Sequence, residues 1–175
     1  DGKAVCVNVP ERCNVTGIFK DFDVAKLAGK KIRFEVDVKG ENIAPARDLW
    51  NGGKIQFQIT DLDGKDDWKG AAVKTGTFDW EHKSFVVNVP GNVKKMRLFL
   101  GFQDSSGKIY FRNLKMSELA ESVDLTKVAN MDFADDVAGD GKGGWSDQGS
   151  YNDAKKFKYQ DVERFANVPF TVINP

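Results

Sequence analysis

The sequence predicts an all-β protein, a sandwich of two antiparallel sheets. Short segments of alternating polarity recur through residues 3–116, separated by Gly, Pro, Asn and Asp turns, without a long amphipathic helix. In segment 31–39, apolar residues alternate with charged ones, so one face of that strand is expected in a core and the other in water. The predicted strands are 3–9, 13–19, 31–39, 54–60, 71–74, 83–89, 95–103 and 108–116.

The sequence changes character after residue 116. Residues 117–128 are expected to be helical or irregular, 135–149 are too rich in Gly and Asp for the interior of a strand or helix, and 168–173 form a short strand candidate. We therefore expect a sandwich domain at 1–116 and an irregular extension at 117–175. The extension is expected either to pack on the sandwich or to begin a further domain.

Composition and charge exclude two classes of partner. The chain of 175 residues is 41% hydrophobic and has 13 Phe, enough for a real core. Its 26 basic and 26 acidic residues are interspersed, without the basic cluster of a nucleic-acid binder. No apolar run approaches the length of a membrane span. We therefore expect a soluble protein that binds no nucleic acid.

Two cysteines, Cys6 and Cys13, flank a segment that contains Pro10. A strand, a turn and a returning strand would bring them together, so we favour a disulfide and a secreted, extracellular protein. The alternative is two separately buried thiols in a cytosolic protein. A zinc site is not expected, because His82 is the only histidine and no further cysteine is present.

The most informative segment is 54–60, in which Ile55, Phe57 and Ile59 alternate with Gln56 and Gln58. Neutral amides both donate and accept hydrogen bonds, so this polar face suits sugar hydroxyls. The segment 95–103 repeats the design, with apolar residues on one face and Arg97, Phe99 and Gln103 on the other. The alternative for both strands is a face that is merely solvated.

Two tryptophans bracket the glutamine-bearing strand. Trp50 precedes it and Trp68 follows it, both among polar and glycine residues that favour exposure. An exposed aromatic face stacks on the C–H face of a sugar ring while neighbouring amides fix its hydroxyls. Phe99 and Tyr110 are further candidates for the same cleft, whereas Trp80 is expected to pack in the core or at a sheet edge.

Catalysis is not expected, because the sequence lacks a nucleophile elbow, a phosphate loop and any Ser/His or Cys/His arrangement. A structural Ca²⁺ is a weaker hypothesis. Four aspartates between glycines in the extension could supply hard oxygen ligands, although their spacing is not that of an EF-hand and a solvated loop is the alternative. They are Asp135, Asp136, Asp140 and Asp147.

Four segments carry a resemblance to a known family: Thr75-Gly-Thr-Phe-Asp-Trp80, residues 85–90, Leu98-Phe-Leu-Gly-Phe-Gln103 and Gly107-Lys-Ile-Tyr-Phe-Arg-Asn-Leu114. Over residues 31–116 the chain resembles jelly-roll carbohydrate-binding modules of the family 4/9 (4/9/16/22) type. The resemblance implies a non-catalytic jelly roll, appended to a secreted glycoside hydrolase, that binds polysaccharide on a concave sheet.

Carried over by position, the resemblance implies that Trp68, Gln58 and Gln103 occupy binding positions and that Trp50 is the aromatic before the same strand. The chain departs from the family pattern at Arg112-Asn113, where the family has an Asp pair that helps hold calcium. Residues 139–149 also resemble a segment that begins a further domain in some large secreted bacterial carbohydrate-active proteins. The resemblance implies either that this chain is part of a longer protein or that the segment completes this chain's own sheet.

The sequence thus predicts a non-catalytic module that binds polysaccharide or oligosaccharide, with an appended catalytic domain as a further partner. The competing hypothesis is a self-associating surface or filament subunit, in which strand 168–173 adds to an open sheet edge. The modules of that family usually open with a strand of the Asn-Gly-Phe-Glu type, which this sequence lacks, and this absence motivates that alternative.

Overall fold

The computed structural model describes residues 3–119 in full and the backbone of two further strands, 146–151 and 170–173. In this described part no helix has the length and apolar character needed to cross a bilayer. Its elements are β1 (Ala4–Asp21), a 3-10 helix (Val24–Lys26), β2 (Lys31–Ile43), β3 (Gly52–Asp61), β4 (Asp66–Ala72), β5 (Gly76–Asn88), β6 (Val93–Glu118), β7 (Ser146–Tyr151) and β8 (Phe170–Ile173).

Two long strands, β1 and β6, run through both layers of a sandwich. They pair with each other antiparallel, from Ala4 opposite Arg112 to Asp21 opposite Arg97. The front layer has the strand order β4, β3, β6, β1, β7, and the back layer has the order β5, β2, β6, β1, β8. All these pairings are antiparallel, which confirms the predicted sandwich of two antiparallel sheets.

The core lies between the layers and follows the alternation of the sequence. Phe57 of the front layer and Phe34 of the back layer are both fully buried, and their rings meet edge to face at 5.2 Å between centroids. Buried side chains from both layers form one continuous cluster. Because every second residue enters this cluster, the intervening residues of each strand face outward.

Four of the predicted strands are fused into β1 and β6. The register of β1 shifts between Val9 and Cys13, and β6 bends where Asp104 has a φ of 48° and Gly107 a φ of 124°. The turn-forming residues at these places make bulges that redirect a strand from one layer to the other. A bulge and a turn favour the same residue types, which explains the difference from the sequence prediction.

The predicted disulfide is wrong, because Cys6 and Cys13 are both free and buried. The residues between them belong to a single strand, along which seven positions correspond to about 20 Å, far beyond the Cα separation that a disulfide allows. Cys13 joins the core and its thiol donates to the carbonyl oxygen of Ser105 at 3.4 Å, whereas Cys6 is paired with Tyr110. The inference of an oxidising compartment loses this support.

The C-terminal part of the chain completes both layers. β7 pairs with residues 13–19 of β1 and β8 pairs with residues 4–7 of β1. The predicted strand at 168–173 is present as β8, but the prediction that 135–149 holds no strand is wrong for β7. Its backbone pairs with the edge of β1, and such pairing overrides a weak local preference for strand.

The aspartates proposed as calcium ligands lie mostly outside the described residues. This applies to Asp135, Asp136 and Asp140, while Asp147 lies in β7 with its backbone opposite Ile18. Within residues 3–119, no group of three or more His, Cys, Asp and Glu side chains could hold a metal ion. The calcium site therefore stays a prediction.

We predict that Gly17→Ala lowers the free energy of unfolding by about 1–3 kcal/mol. A Cβ at Gly17 would lie 2.2 Å from the carbonyl oxygen of Leu100 and 2.7 Å from Cα of Gly101, which are backbone atoms that cannot move aside easily. Gly91→Ala is the matched control, since nothing lies within 4 Å of its added methyl group. Equal urea denaturation midpoints for the two variants would contradict the close approach of β1 and β6.

Free thiols at both cysteines make a second prediction. Alkylation of the urea-unfolded protein without a reductant should add two groups per chain, and prior reduction should leave that number unchanged. The native protein should react slowly, because both thiols are buried and burial raises the pKa of each. An unfolded chain that gains two groups only after reduction would restore the disulfide.

Candidate functional site

The outward side of the front layer, hereafter the front face, carries most of the side chains predicted to bind sugar. Antiparallel pairing sets these side chains in rows across the strands, about 14 Å long for four strands. Two adjacent rows matter most: Trp68, Gln58, Arg97 and Asp21 form one, and Gly70, Gln56, Phe99 and Phe19 form the other. The structure therefore brings together three aromatic and two amide positions from residues far apart in sequence.

Trp68 and Trp50 stand at the borders of these rows. Trp68 lies within β4, which begins at Asp66 and not at the predicted residue 71. Its side chain is exposed, with a relative accessibility of 51%. Trp50, in the segment before β3, is 71% accessible. Exposed apolar surface that is grouped on one face marks an interaction site more often than single exposed residues do.

A groove of about 270 Å³ lies beside Trp50, at the β3–β4 side of the front face. We call it the Trp50 groove, and its lining includes Trp50, Asn51, Lys54, Gln56, Gly70 and Ala72. Gly70 and Ala72 of β4 have no side chain or a small one, so they leave this space unfilled. The groove thus places an aromatic ring, two amides and an ammonium group around a space open to solvent.

Gln58 is held in one orientation by Asp66, which is paired with Thr60 in the neighbouring row of the face. Its Nε2 donates to Oδ2 of Asp66 at 2.9 Å, and the Thr60 hydroxyl donates to Oδ1 of the same carboxylate at 2.6 Å. These two hydrogen bonds, that of Thr60 foremost, lower the pKa of Asp66. The orientation leaves Oε1 of Gln58 as the amide atom that can accept from a ligand.

Arg97 lies on the front face but is already engaged. Its Nε and Nη2 donate to the two carboxylate oxygens of Asp21, both at 2.7 Å, and its guanidinium carbon lies 3.8 Å from the ring centroid of Phe19. The hydrogen bonds from Arg97 lower the pKa of Asp21. Arg97 thus presents a fixed, flat surface rather than a mobile positive charge.

Phe99 and Gln103 share the front face with the rows described above. Phe99 lies between Gln56 and Phe19, and Gln103 is paired with Gly52 and with Val15 of β1. The sequence analysis missed Phe19, although its position in the alternating segment 15–21 could have indicated an outward aromatic. It also missed Lys54, which belongs to the same alternation as Gln56 and Gln58.

Tyr110 does not belong to this site. β6 passes into the back layer after Gly107, so Tyr110 lies on the outward side of that layer, hereafter the back face, opposite Lys39 of β2. Its ring packs against Trp80 at 6.5 Å between centroids. Burial, together with Cys6 and Glu41, raises the pKa of Tyr110. The bend of β6 explains why alternation alone misplaced this residue.

Many polar groups of the back face contact each other, although Nε of Arg112 is buried without a hydrogen bond to any described residue, 3.7 Å from Asp37. Asp37 accepts from Nδ2 of Asn113 at 2.7 Å and contacts Nδ1 of His82 at 3.0 Å, while Nε2 of His82 lies 3.4 Å from Glu35. The Arg112 guanidinium carbon lies 4.0 Å from the ring centroid of Trp80. Its aromatic and charged groups contact each other, and its character differs from that of the front face.

A salt-bridge cluster at the bend of β6 holds the segment that leads to Trp50. The carboxylate of Asp104 accepts from the backbone N–H of Arg47 at 2.8 Å and lies 3.3 Å from Nη1 of Arg12. Arg12 also donates through Nη2 to the carbonyl oxygen of Pro45 at 2.8 Å. This Asp104 clamp fastens the loop of Trp50 to the bends of β1 and β6.

No protein-family model matches the sequence, and no related curated protein is found. Among solved structures, the apo PbXyn10C carbohydrate-binding module has a TM-score of 0.54 and 14% identity, over 84% of this chain and 81% of that one. Two further structures have TM-scores of 0.49 and 13% identity over 65% of this chain. One is the C-terminal family 22 carbohydrate-binding module of Clostridium thermocellum Xyn10B, and the other is described as a xylan-binding domain from family 22; 72% and 73% of their chains are covered.

The likeness to the PbXyn10C module shows the fold of this chain, the jelly-roll β-sandwich expected from the sequence motifs. At this level of identity it carries no residue of that module onto this one. The features of the front face therefore rest on the geometry of this chain alone.

The Asp104 clamp should make stability depend on acid pH. The backbone N–H of Arg47, followed by Arg12, lowers the pKa of Asp104 from its ordinary 3.8. A carboxylate whose pKa is lowered by folding stabilises the folded state above its unfolded pKa, and this contribution is lost as the pH falls towards the folded value. Wild type should therefore be more stable than Asp104→Asn at pH 7, and the difference should shrink below pH 3.8.

Urea denaturation at pH 7 and pH 3 measures this difference. Asn tolerates the positive φ of position 104, so the variant changes the charge with little backbone strain. Asp63→Asn, at an exposed position in the β3–β4 turn, is the control. A difference between wild type and Asp104→Asn that is the same at both pH values would contradict the clamp.

Proposed function

We propose that this protein is a non-catalytic module that binds polysaccharide or oligosaccharide chains across its front face. The observation that carries the proposal is the pair of exposed tryptophans, Trp50 and Trp68, beside the outward glutamines of β3. A ring face of Trp covers the apolar C–H face of a sugar, and the amides bond its hydroxyls. Each part of this face thus matches one part of a sugar ring.

Rigidity of the face supports the same role. Trp68 lies on a paired strand, Gln58 is oriented by Asp66, and Arg97 is fixed by Asp21. Side chains held in their binding positions lose less conformational entropy when a ligand binds. A preformed and largely flat surface suits a polymer, of which several rings can lie along the sheet.

The carboxylates of the front face argue against hydrolysis. Asp21 and Asp66 both have a lowered pKa, so both are ionised at neutral pH. A glycosidase requires, besides a base or nucleophile, an acid whose pKa is raised. Neither Asp21 nor Asp66 is suited to donate a proton, which favours binding without catalysis.

The fold neighbours lend this proposal context. They are carbohydrate-binding modules, and the description of one of them names xylan. We propose further that this chain is part of a larger, secreted glycan-degrading protein and targets its catalytic domain to the substrate. Xylan is the first member of the glycan panel used to test it.

We predict that Trp68→Ala weakens binding by about 2 kcal/mol, or about 30-fold in Kd, because a buried aromatic contact in a binding site typically contributes this much. Gln58→Ala should weaken it by about 1 kcal/mol, the contribution of one hydrogen bond. Affinity electrophoresis and calorimetry on xylan, cellulose, β-glucan, mannan and pectin measure these changes. Trp80→Ala on the back face is the control of the same residue type, with folding checked by denaturation.

Equal losses for Trp68→Ala and Trp80→Ala would contradict a site on the front face. Retention on no glycan, together with concentration-dependent assembly that is lost when residues 168–175 are deleted, would favour the self-associating subunit instead. In the structure β8 pairs with β1 of its own chain, so that hypothesis requires the strand to be exchanged between copies.

A further inference from the structure

A buried positive charge lies in the Trp50 groove. Lys54 is on the outward side of β3 but has a relative accessibility of only 9%, and its ammonium donates to the carbonyl oxygen of Trp50. Within residues 3–119 no carboxylate lies within ion-pair distance of it; the Lys/Arg to Asp/Glu contacts of this region all involve other residues. Burial accordingly lowers the pKa of Lys54.

An ammonium group taken out of water without a counter-charge is unfavourable for the folded protein. A charged lysine on the surface of a sheet can usually extend into solvent, and Lys95 on the same face does so more freely. Lys54 instead stays under the segment of Trp50. One hydrogen bond to a neutral carbonyl leaves most of its three donors and its whole charge uncompensated.

The same groove contains an unpaired acceptor. Nδ2 of Asn51 donates to Oδ2 of Asp48 at 3.3 Å, which points Oδ1 the other way. That oxygen is buried and accepts no hydrogen bond from the described residues. Buried polar atoms are nearly always paired, so an unpaired one in a binding groove indicates a ligand or water that completes it.

The two unpaired groups together define the chemistry of the missing partner. Lys54 calls for an anionic acceptor, and Asn51 calls for a hydrogen-bond donor such as a hydroxyl. Trp50 supplies a stacking surface at the side of both. A volume of about 270 Å³ lies below the range of about 300–1,000 Å³ typical of sites that enclose a drug-sized ligand. The groove therefore suits a single ring of a longer chain.

Granted that the front face binds glycans, we infer that the Trp50 groove selects an acidic sugar, a uronic acid whose carboxylate accepts from the Lys54 ammonium and whose hydroxyl donates to Oδ1 of Asn51. A neutral sugar would leave the buried charge uncompensated. Asp48 is not among the residues that line the groove, and its carboxylate is turned towards Asn51. The ligand class is thus a polysaccharide that carries uronic acid residues.

The test compares each acidic polysaccharide with its own carboxyl-reduced form. Glucuronoxylan, polygalacturonate, alginate and hyaluronan are the probes, and reduction turns each carboxylate into a neutral hydroxymethyl group. Wild type should bind at least one acidic form about tenfold more tightly than its reduced form, because hydrogen bonds to charged groups are the stronger ones. Added NaCl should diminish this preference.

Lys54→Met should reduce the preference to about onefold, because it weakens binding of the acidic form more than binding of the reduced form. Lys95→Met is the matched control, because it removes a lysine from the other end of the same face. Lys95 is paired with Thr60, which lies six residues after Lys54 on β3. It should keep the preference. Lys54→Gln repeats the test with a polar side chain, in case the methionine disturbs the loop.

Each result distinguishes the two proposals. Equal binding of acidic and reduced forms by wild type overturns the uronic acid inference and leaves glycan binding intact. A preference that survives in Lys54→Met, or an equal loss of both forms in that variant, overturns the role of the Lys54 charge. Retention on no acidic or neutral glycan overturns the proposed function and the inference with it.

Stability as a function of pH provides a readout that needs no ligand. The folded pKa of Lys54 is lowered from 10.5, so the unfolded chain holds that proton more tightly than the folded one. Stability then rises with pH between the folded pKa and 10.5. Wild type should gain stability relative to Lys54→Met as the pH is raised through this window, measured by urea denaturation. A constant difference would show that the ammonium is not desolvated.

Discussion

The shared use of β1 and β6 by both layers is the constraint on which the rest of the structure depends. β1 pairs with residues 97–112 of β6 along its whole length, and each strand bends once to pass from one layer to the next. Because the two bends lie side by side, the Asp104 clamp can join them and hold the loop of Trp50 over the end of the front layer. The core, the position of the tail strands and the border of the groove all follow from this pairing.

The two faces of the sandwich carry similar residue types, but the side chains make different contacts on each face. On the back face Trp80 contacts Arg112 and Tyr110, and the carboxylate of Asp37 contacts Asn113, His82 and Arg112. On the front face Asp66 orients Gln58 and the pair of Arg97 with Asp21 fixes a flat surface over Phe19, while Trp50 and Trp68 remain exposed. Composition alone does not separate a binding face from a structural one; the distinction lies in which groups already have partners.

The alternation of apolar and polar residues predicted those features of the fold that depend on a single strand. It indicated which residues of 54–60 and 95–103 enter the core, and it put Gln56, Gln58, Arg97 and Phe99 on one face, where the structure brings them together. It could not distinguish a bulge from a turn, so it joined Cys6 to Cys13 and left Tyr110 on the wrong face. The burial of Lys54 and the unpaired oxygen of Asn51 depend on a loop folding over a distant strand, which no local pattern records.

The central claim is that glycans bind on the front face, and amide NMR shifts during titration with xylohexaose, cellohexaose and hexagalacturonic acid test it most directly. The account predicts that the shifts of at least one titration cluster on residues 50–58, 66–72 and 97–103 and on the indole N–H signals of Trp50 and Trp68. Shifts centred on Trp80 and residues 108–113, or no saturable shifts with any of the three, would contradict it.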